Sequence, residues 1–195
     1  MVHLYGHTWP VRWGKPGEMK VVKVYSNCDE VELFVNGVSH GKKKRNSQDF
    51  PAAGLRWQIP MQKGNYHFRV VGKKGKVKVE DEITQFYQTD VWSKPVNLTV
   101  SKISEENDVV LVEATLRDKH NIRCLDARNW IHFSLAGDGK LIDNLGTSSG
   151  SRKVQAYNGR AIIRVKSNNG KNVISIKSPG IPTVLLDLNK KQVTP

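Results

Sequence analysis

The stretch Val31-Glu32-Leu33-Phe34-Val35-Asn36-Gly37-Val38 constrains the fold more than any other part of this chain. Val31, Leu33 and Val35 fall on one face of an extended segment, and Glu32 and Asn36 on the other. Asn36-Gly37 then supplies the two residue types that best tolerate φ > 0, as a type I′ hairpin turn requires. A strand with one apolar face, closed by a two-residue turn, predicts antiparallel pairing.

The same grammar runs through the chain. Short period-2 segments are predicted at 20–25, 31–35, 38–44, 55–59, 66–71 and 76–82, each bounded by Gly, Pro, Asn or Asp. Residues 1–18 read as an irregular lead-in, and 84–95 as a last strand and connector in which Trp92-Ser93-Lys94-Pro95 marks a boundary. Strands follow at 98–103, 108–117, 131–135, 140–144, 160–166, 172–177 and 183–188. No window has the 3.6-residue period of a helix. About seven strands with turns every 8–12 residues is the signature of an immunoglobulin-like sandwich. The expectation is an all-β chain of two tandem immunoglobulin-like β-sandwich domains, at 1–92 (with the lead-in) and 93–195.

The hydrophobic share of 38 % argues against wholesale disorder. No apolar run approaches the roughly 18–20 residues of a membrane span. Met1-Val2-His3-Leu4-Tyr5 lacks the charged region and apolar block of a signal peptide. A net charge of +13 raises nucleic acid as a partner, but its distribution argues otherwise. Residues 1–92 hold 15 Lys+Arg against 9 Asp+Glu and residues 93–195 hold 16 against 9, so no basic arm exists. The densest runs, Lys42-Lys43-Lys44-Arg45 and Lys73-Lys74-Gly75-Lys76, fall at expected hairpin ends and edges, where lysines blunt edge-to-edge association. Polyanion binding through Lys42–Arg45 is the weaker alternative. Cys28 and Cys124 are expected as free, partly buried thiols rather than a disulfide between domains.

Few residues of the chain fall into patterns that carry chemistry. His3, His7, His40, His67, His120 and His132 lie scattered, with no pair on a predicted helix at the i, i+4 spacing of a helical zinc site, so no metal or other cofactor is expected. His67 and His132 sit on polar alternates and should face solvent. No nucleophile elbow is present, and Ser148-Ser149-Gly150-Ser151 reads as a loop. Gly137-Asp138-Gly139 precedes a strand and is a turn. Asp138, Asp143 and Asn144 could converge on calcium, though Asx turn capping explains them more simply. The acidic residues flank strands, with no catalytic pair among them. Trp57 alternates with Leu55 and Ile59 as core, and Trp130 is expected half-buried. Trp9, Trp13 and Trp92 lie in irregular segments and are the candidates for stacking on a sugar, with interdomain packing as the competing role.

Tyr25-Ser26-Asn27-Cys28-Asp29-Glu30-Val31-Glu32-Leu33-Phe34-Val35-Asn36-Gly37 resembles the C-terminal accessory domain of bacterial β-galactosidases of glycoside hydrolase family 2. His7-Thr8-Trp9 with Trp13, and Phe50-Pro51-Ala52-Ala53-Gly54-Leu55-Arg56-Trp57, extend the likeness. Cys124-Leu125-Asp126-Ala127, Phe133-Ser134-Leu135-Ala136-Gly137-Asp138-Gly139 and Tyr157-Asn158-Gly159-Arg160-Ala161 are similar to the immunoglobulin-like domain that follows in those enzymes. The resemblance implies that the catalytic glutamates sit on a TIM barrel N-terminal to these domains, a pattern of strands and helices not found here. By that resemblance the chain is a non-catalytic C-terminal fragment, with no catalytic residue to assign. Its implied role is to brace the barrel and its implied partners are the parent's other domains. The parent would be a periplasmic or extracellular enzyme acting on terminal β-galactosides. A carbohydrate-binding module that takes oligosaccharides is the alternative.

Overall fold

The computed structural model describes residues 1–46, 53–142, 152–168 and 170–189. Chain contacts divide it into two units, Met1–Thr89 and Asp90–Pro195. The described residues contain no α-helix.

The first unit holds β1 (Val2–Leu4), β2 (Val11–Trp13), β3 (Glu18–Ser26), β4 (Glu30–Val35), β5 (Val38–Lys43), β6 (Leu55–Met61), β7 (Gly64–Lys74) and β8 (Val77–Gln88). They form a three-stranded sheet, β1-β3-β6, and a five-stranded sheet, β2-β8-β7-β4-β5. Alternation decides which face is inward. Val31, Leu33 and Val35 of β4 are buried together with Trp57, Ile59 and Met61 of β6, and Phe68, Val70 and Tyr87 complete the core. Trp57, 4 % exposed, is core as expected, and its indole N–H donates to the Gly41 carbonyl at 3.2 Å, joining β6 of one sheet to β5 of the other. The hairpin forms as read: Asn36 and Gly37 have φ of 49° and 83°, and Val35 pairs with Val38. The Asn36 carboxamide oxygen accepts from the His67 amide at 2.8 Å, extending the pairing of β4 with β7 past the turn.

The lead-in is not irregular. β1 pairs antiparallel with β3, and β2 pairs parallel with β8 through Val11 and Phe86. Each strand has three residues, too few for alternation to register, and only their pairing partners far along the chain define them. β8 also runs unbroken through 84–88, where a separate strand was expected, because β7 pairs with it from Lys74 to Gly64.

The second unit holds β9 (Asn97–Glu106), β10 (Val109–Arg117), β11 (Trp130–Gly137), β12 (Lys140–Ile142), β13 (Lys153–Gln155), β14 (Arg160–Lys166), β15 (Asn172–Ser178) and β16 (Ile181–Asp187). Two four-stranded sheets, β12-β14-β10-β9 and β13-β11-β15-β16, enclose a core that includes Val112, Leu116, Ile131, Phe133, Ile163 and Ile176. Two sheets around one core in each unit is the expected all-β, two-sandwich architecture. β13 alone was not anticipated, again a strand of three residues. Trp92 packs against this second core.

Candidate functional site

Of the three tryptophans singled out for sugar stacking, Trp9 and Trp13 belong to the first unit and Trp92 to the second. Trp9 is half-buried, edge-to-face with Tyr5 at 5.0 Å, and the Gln85 side chain donates to its carbonyl at 2.9 Å. Trp13 closes β2 and is 44 % exposed. Trp92 is half-buried, and its indole N–H donates to Asp126, so it serves the fold of the second unit.

Trp130, expected half-buried, is 43 % exposed. Ile131 and Phe133 are fully buried, so strand parity turns Trp130 outward with His132. That parity was available in the sequence. Cross-strand register then lines Lys153, His132 and Lys177 across β13, β11 and β15. Trp130, these three residues, Ser178, Pro179 and Thr183 line an open hollow of about 480 Å³. The Lys153 ammonium lies 5.2 Å from the Trp130 ring centre. An aromatic face beside cationic groups suits a sugar ring carrying negative charge.

A second cluster lies in the first unit. His3 and His7, four apart in sequence but not on a helix, come together because β1 leads into a turn at 5–8 where Gly6 has φ of 117°. Their rings stack at 4.9 Å with 8° between planes. His7 Nε2 lies 2.8 Å and His3 Nδ1 3.5 Å from the same oxygen, Asp81 Oδ2 on β8. The Leu4 amide also donates to that oxygen, at 2.7 Å. Partial burial pushes the Asp81 carboxyl up, but the His7 contact and the Leu4 amide outweigh it and hold the group below its usual range. His3 and His7 have the i, i+4 spacing without a helix under it, and Asp81 comes from a distant strand, so the trio has no local sequence signature.

Other candidates resolve into structure. Lys42 pairs with Glu30 at 3.0 Å and the Lys43 ammonium lies 5.5 Å from the Trp57 ring centre, both on the edge strand β5. His132 is exposed, while His67 is half-buried and 3.2 Å from Glu82. Cys28 and Cys124 are free and buried rather than partly buried, Cys124 completely so. Burial and the nearby Asp118 and Asp126 raise the Cys124 thiol to about 11, which keeps it protonated and unreactive. Asp143, Asn144 and the serines at 148–151 lie outside the described residues.

Residues 99–186 match the model of glycoside hydrolase family 2 C-terminal domain 5. The second unit carries a C-terminal domain of glycoside hydrolase family 2. Residues 17–79 match a domain of unknown function, DUF4982. Among solved structures, the chain is similar to the β-glucuronidase of Parabacteroides merdae, 58 % identical over 97 % of this chain and 25 % of that one, with a TM-score of 0.89. It is also similar to β-glucuronidase 3 of Bacteroides uniformis, 49 % identical over 97 % of this chain and 25 % of that one, with a TM-score of 0.87. The β-galactosidase BoGH2A of Bacteroides ovatus is 25 % identical over 99 % of this chain and 23 % of its own length. The chain thus spans about a quarter of the length of these relatives.

Proposed function

We propose that this chain supplies the two C-terminal β-sandwiches of a family 2 β-glucuronidase and braces a catalytic barrel held elsewhere in the parent enzyme. The observation that carries this is 58 % identity to the P. merdae β-glucuronidase across nearly all of this chain, which corresponds to a quarter of that protein. The β-galactosidase activity implied by the sequence resemblance is the poorer fit, since the β-galactosidase relative is only 25 % identical. In this reading the domains contribute buried surface and a rigid mount, and no reacting group. The parent enzyme is expected to hydrolyse p-nitrophenyl glucuronide with a higher kcat/KM than the galactoside, and the 195-residue chain alone to hydrolyse neither. Turnover by the chain alone, lost on substitution within it, would sink the scaffold role. A parent that prefers galactosides would sink the glucuronidase reading.

A second reading, carbohydrate binding, is favoured by one observation: the exposed Trp130 in a hollow flanked by His132, Lys153 and Lys177. Stacking of a pyranose on the indole face with a carboxylate toward the lysines would give an accessory site for uronic-acid oligosaccharides. This reading adds Trp130 to the candidate platforms Trp9, Trp13 and Trp92.

A further inference from the structure

We propose that His3, His7 and Asp81 form a binding site for a late first-row divalent metal ion, with Zn²⁺ the best chemical fit, which would tie β1 and its following turn to β8. The donor atoms of all three side chains lie within 4.8 Å of one another. Tetrahedral Zn²⁺ with N and O ligands at 2.0–2.2 Å places adjacent donors about 3.3 Å apart. The separations of 2.8 Å for His7–Asp81 and 3.5 Å for His3–Asp81 bracket that value. The His3–His7 donor separation, within 4.8 Å, would have to shorten toward that value by rotation of side chains that are 52 % and 39 % exposed.

The arrangement has the features that orient a ligand set. Asp81 is the least exposed of the three, at 19 %, and its carboxylate is held by backbone donors on both oxygens, Leu4 to Oδ2 at 2.7 Å and Glu82 to Oδ1 at 3.0 Å. Such bonds fix the direction of a ligating carboxylate. His3 is held between Val2 and Leu4, both buried, so strand parity presents its ring to solvent beside Asp81. The 3.5 Å between His3 Nδ1 and Asp81 Oδ2 is long for a direct hydrogen bond, whereas an ion between them would bond both. Two imidazoles and one carboxylate select for Zn²⁺, Cu²⁺ or Ni²⁺ over Mg²⁺ and Ca²⁺, which take all-oxygen shells. Three protein donors leave a position for water or a neighbouring ligand. The inference does not depend on the parent's sugar specificity.

Isothermal titration of the chelator-treated 195-residue chain with ZnCl₂ tests it. The expected result is saturable 1:1 binding, weakened at least about tenfold in His3→Gln, His7→Gln and Asp81→Asn and unchanged in His67→Gln, which removes a histidine paired elsewhere. Circular dichroism confirms that each variant is folded. His3→Gln, at a half-exposed side chain, keeps the test open if Asp81→Asn fails to fold. Co²⁺ should give the visible d–d bands of N/O coordination, lost in His3→Gln. No saturable binding, binding indifferent to His3→Gln and His7→Gln, or equal affinity for Mg²⁺ would overturn the proposal.

Discussion

The Glu113 carboxylate and the Arg160 guanidinium meet at 2.5 Å, across the paired strands β10 and β14. Glu113 is mostly buried, accepts a second bond from the Thr115 hydroxyl at 3.1 Å, and has Arg123 3.7 Å away. Desolvation lowers the Arg123 guanidinium to about 10, opposed by the Glu113 charge. Removing the carboxylate would leave two guanidinium groups in low dielectric without their shared counter-ion. Glu113→Ala should therefore cost about 3 kcal/mol in urea unfolding, and Glu113→Gln less. A loss below about 1 kcal/mol would mean that solvent screens the pair.

Asp118 is fully buried and accepts from the amides of Ser93, His120 and Ile122, each at 2.9 Å. The Ser93 amide is the largest influence, and together these bonds bring the carboxyl down to about 2 against the opposing effect of burial. The unfolded group titrates near 3.9. The stabilisation is therefore present above about pH 4 and lost as pH falls from about 4 toward 2. Melting temperature followed over that interval should drop more steeply in the native protein than in Asp118→Asn.

Trp57 offers a comparison of volume with hydrogen bonding. Trp57→Ala should lose about 3–5 kcal/mol through the cavity it leaves. Trp57→Phe keeps most of the volume and gives up only the bond to the Gly41 carbonyl, with an expected cost of about 1 kcal/mol. Chemical denaturation of both variants separates the two terms, and equal losses would show that the indole N–H is the main contribution.

Gly137 and Gly75 both have positive φ, yet they should respond differently to alanine. At Gly137, with φ of 129°, a Cβ would sit 1.9 Å from the Lys171 carbonyl oxygen. At Gly75, with φ of 55°, it would meet nothing within 4 Å. Gly75→Ala is expected to cost about 1 kcal/mol, from backbone conformation alone. Gly137→Ala should cost clearly more, read as a larger fall in denaturation midpoint.

If Trp130 is a sugar platform, glucuronate oligosaccharides should change tryptophan fluorescence saturably, and Trp130→Ala should abolish the change. Neutral galactose oligomers should bind more weakly, because the row Lys153–His132–Lys177 favours an anion. No response to millimolar sugar would leave the scaffold role alone.

What alternation and turn chemistry carry was legible in the chain: the inward face of β4, the Asn36-Gly37 hairpin, Trp57 in the core and the two all-β halves. Those signals are local, since successive side chains on a strand must alternate and a type I′ turn must accept positive φ at both positions. The parity of Trp130 belonged to the same class and should have been read from Ile131 and Phe133. Tertiary structure alone decided the rest. β1, β2 and β13 have three residues each and exist because distant strands pair with them. Asp81 reaches His3 and His7 across more than seventy positions of chain, and Glu113 lies between arginines from β14 and the loop before β11. Sequence by itself determined which way the longer alternating strands face, as in β4, β6 and β11. Only the packed sheets decided which polar groups meet, because such a meeting depends on strand order and register, which have no local signature.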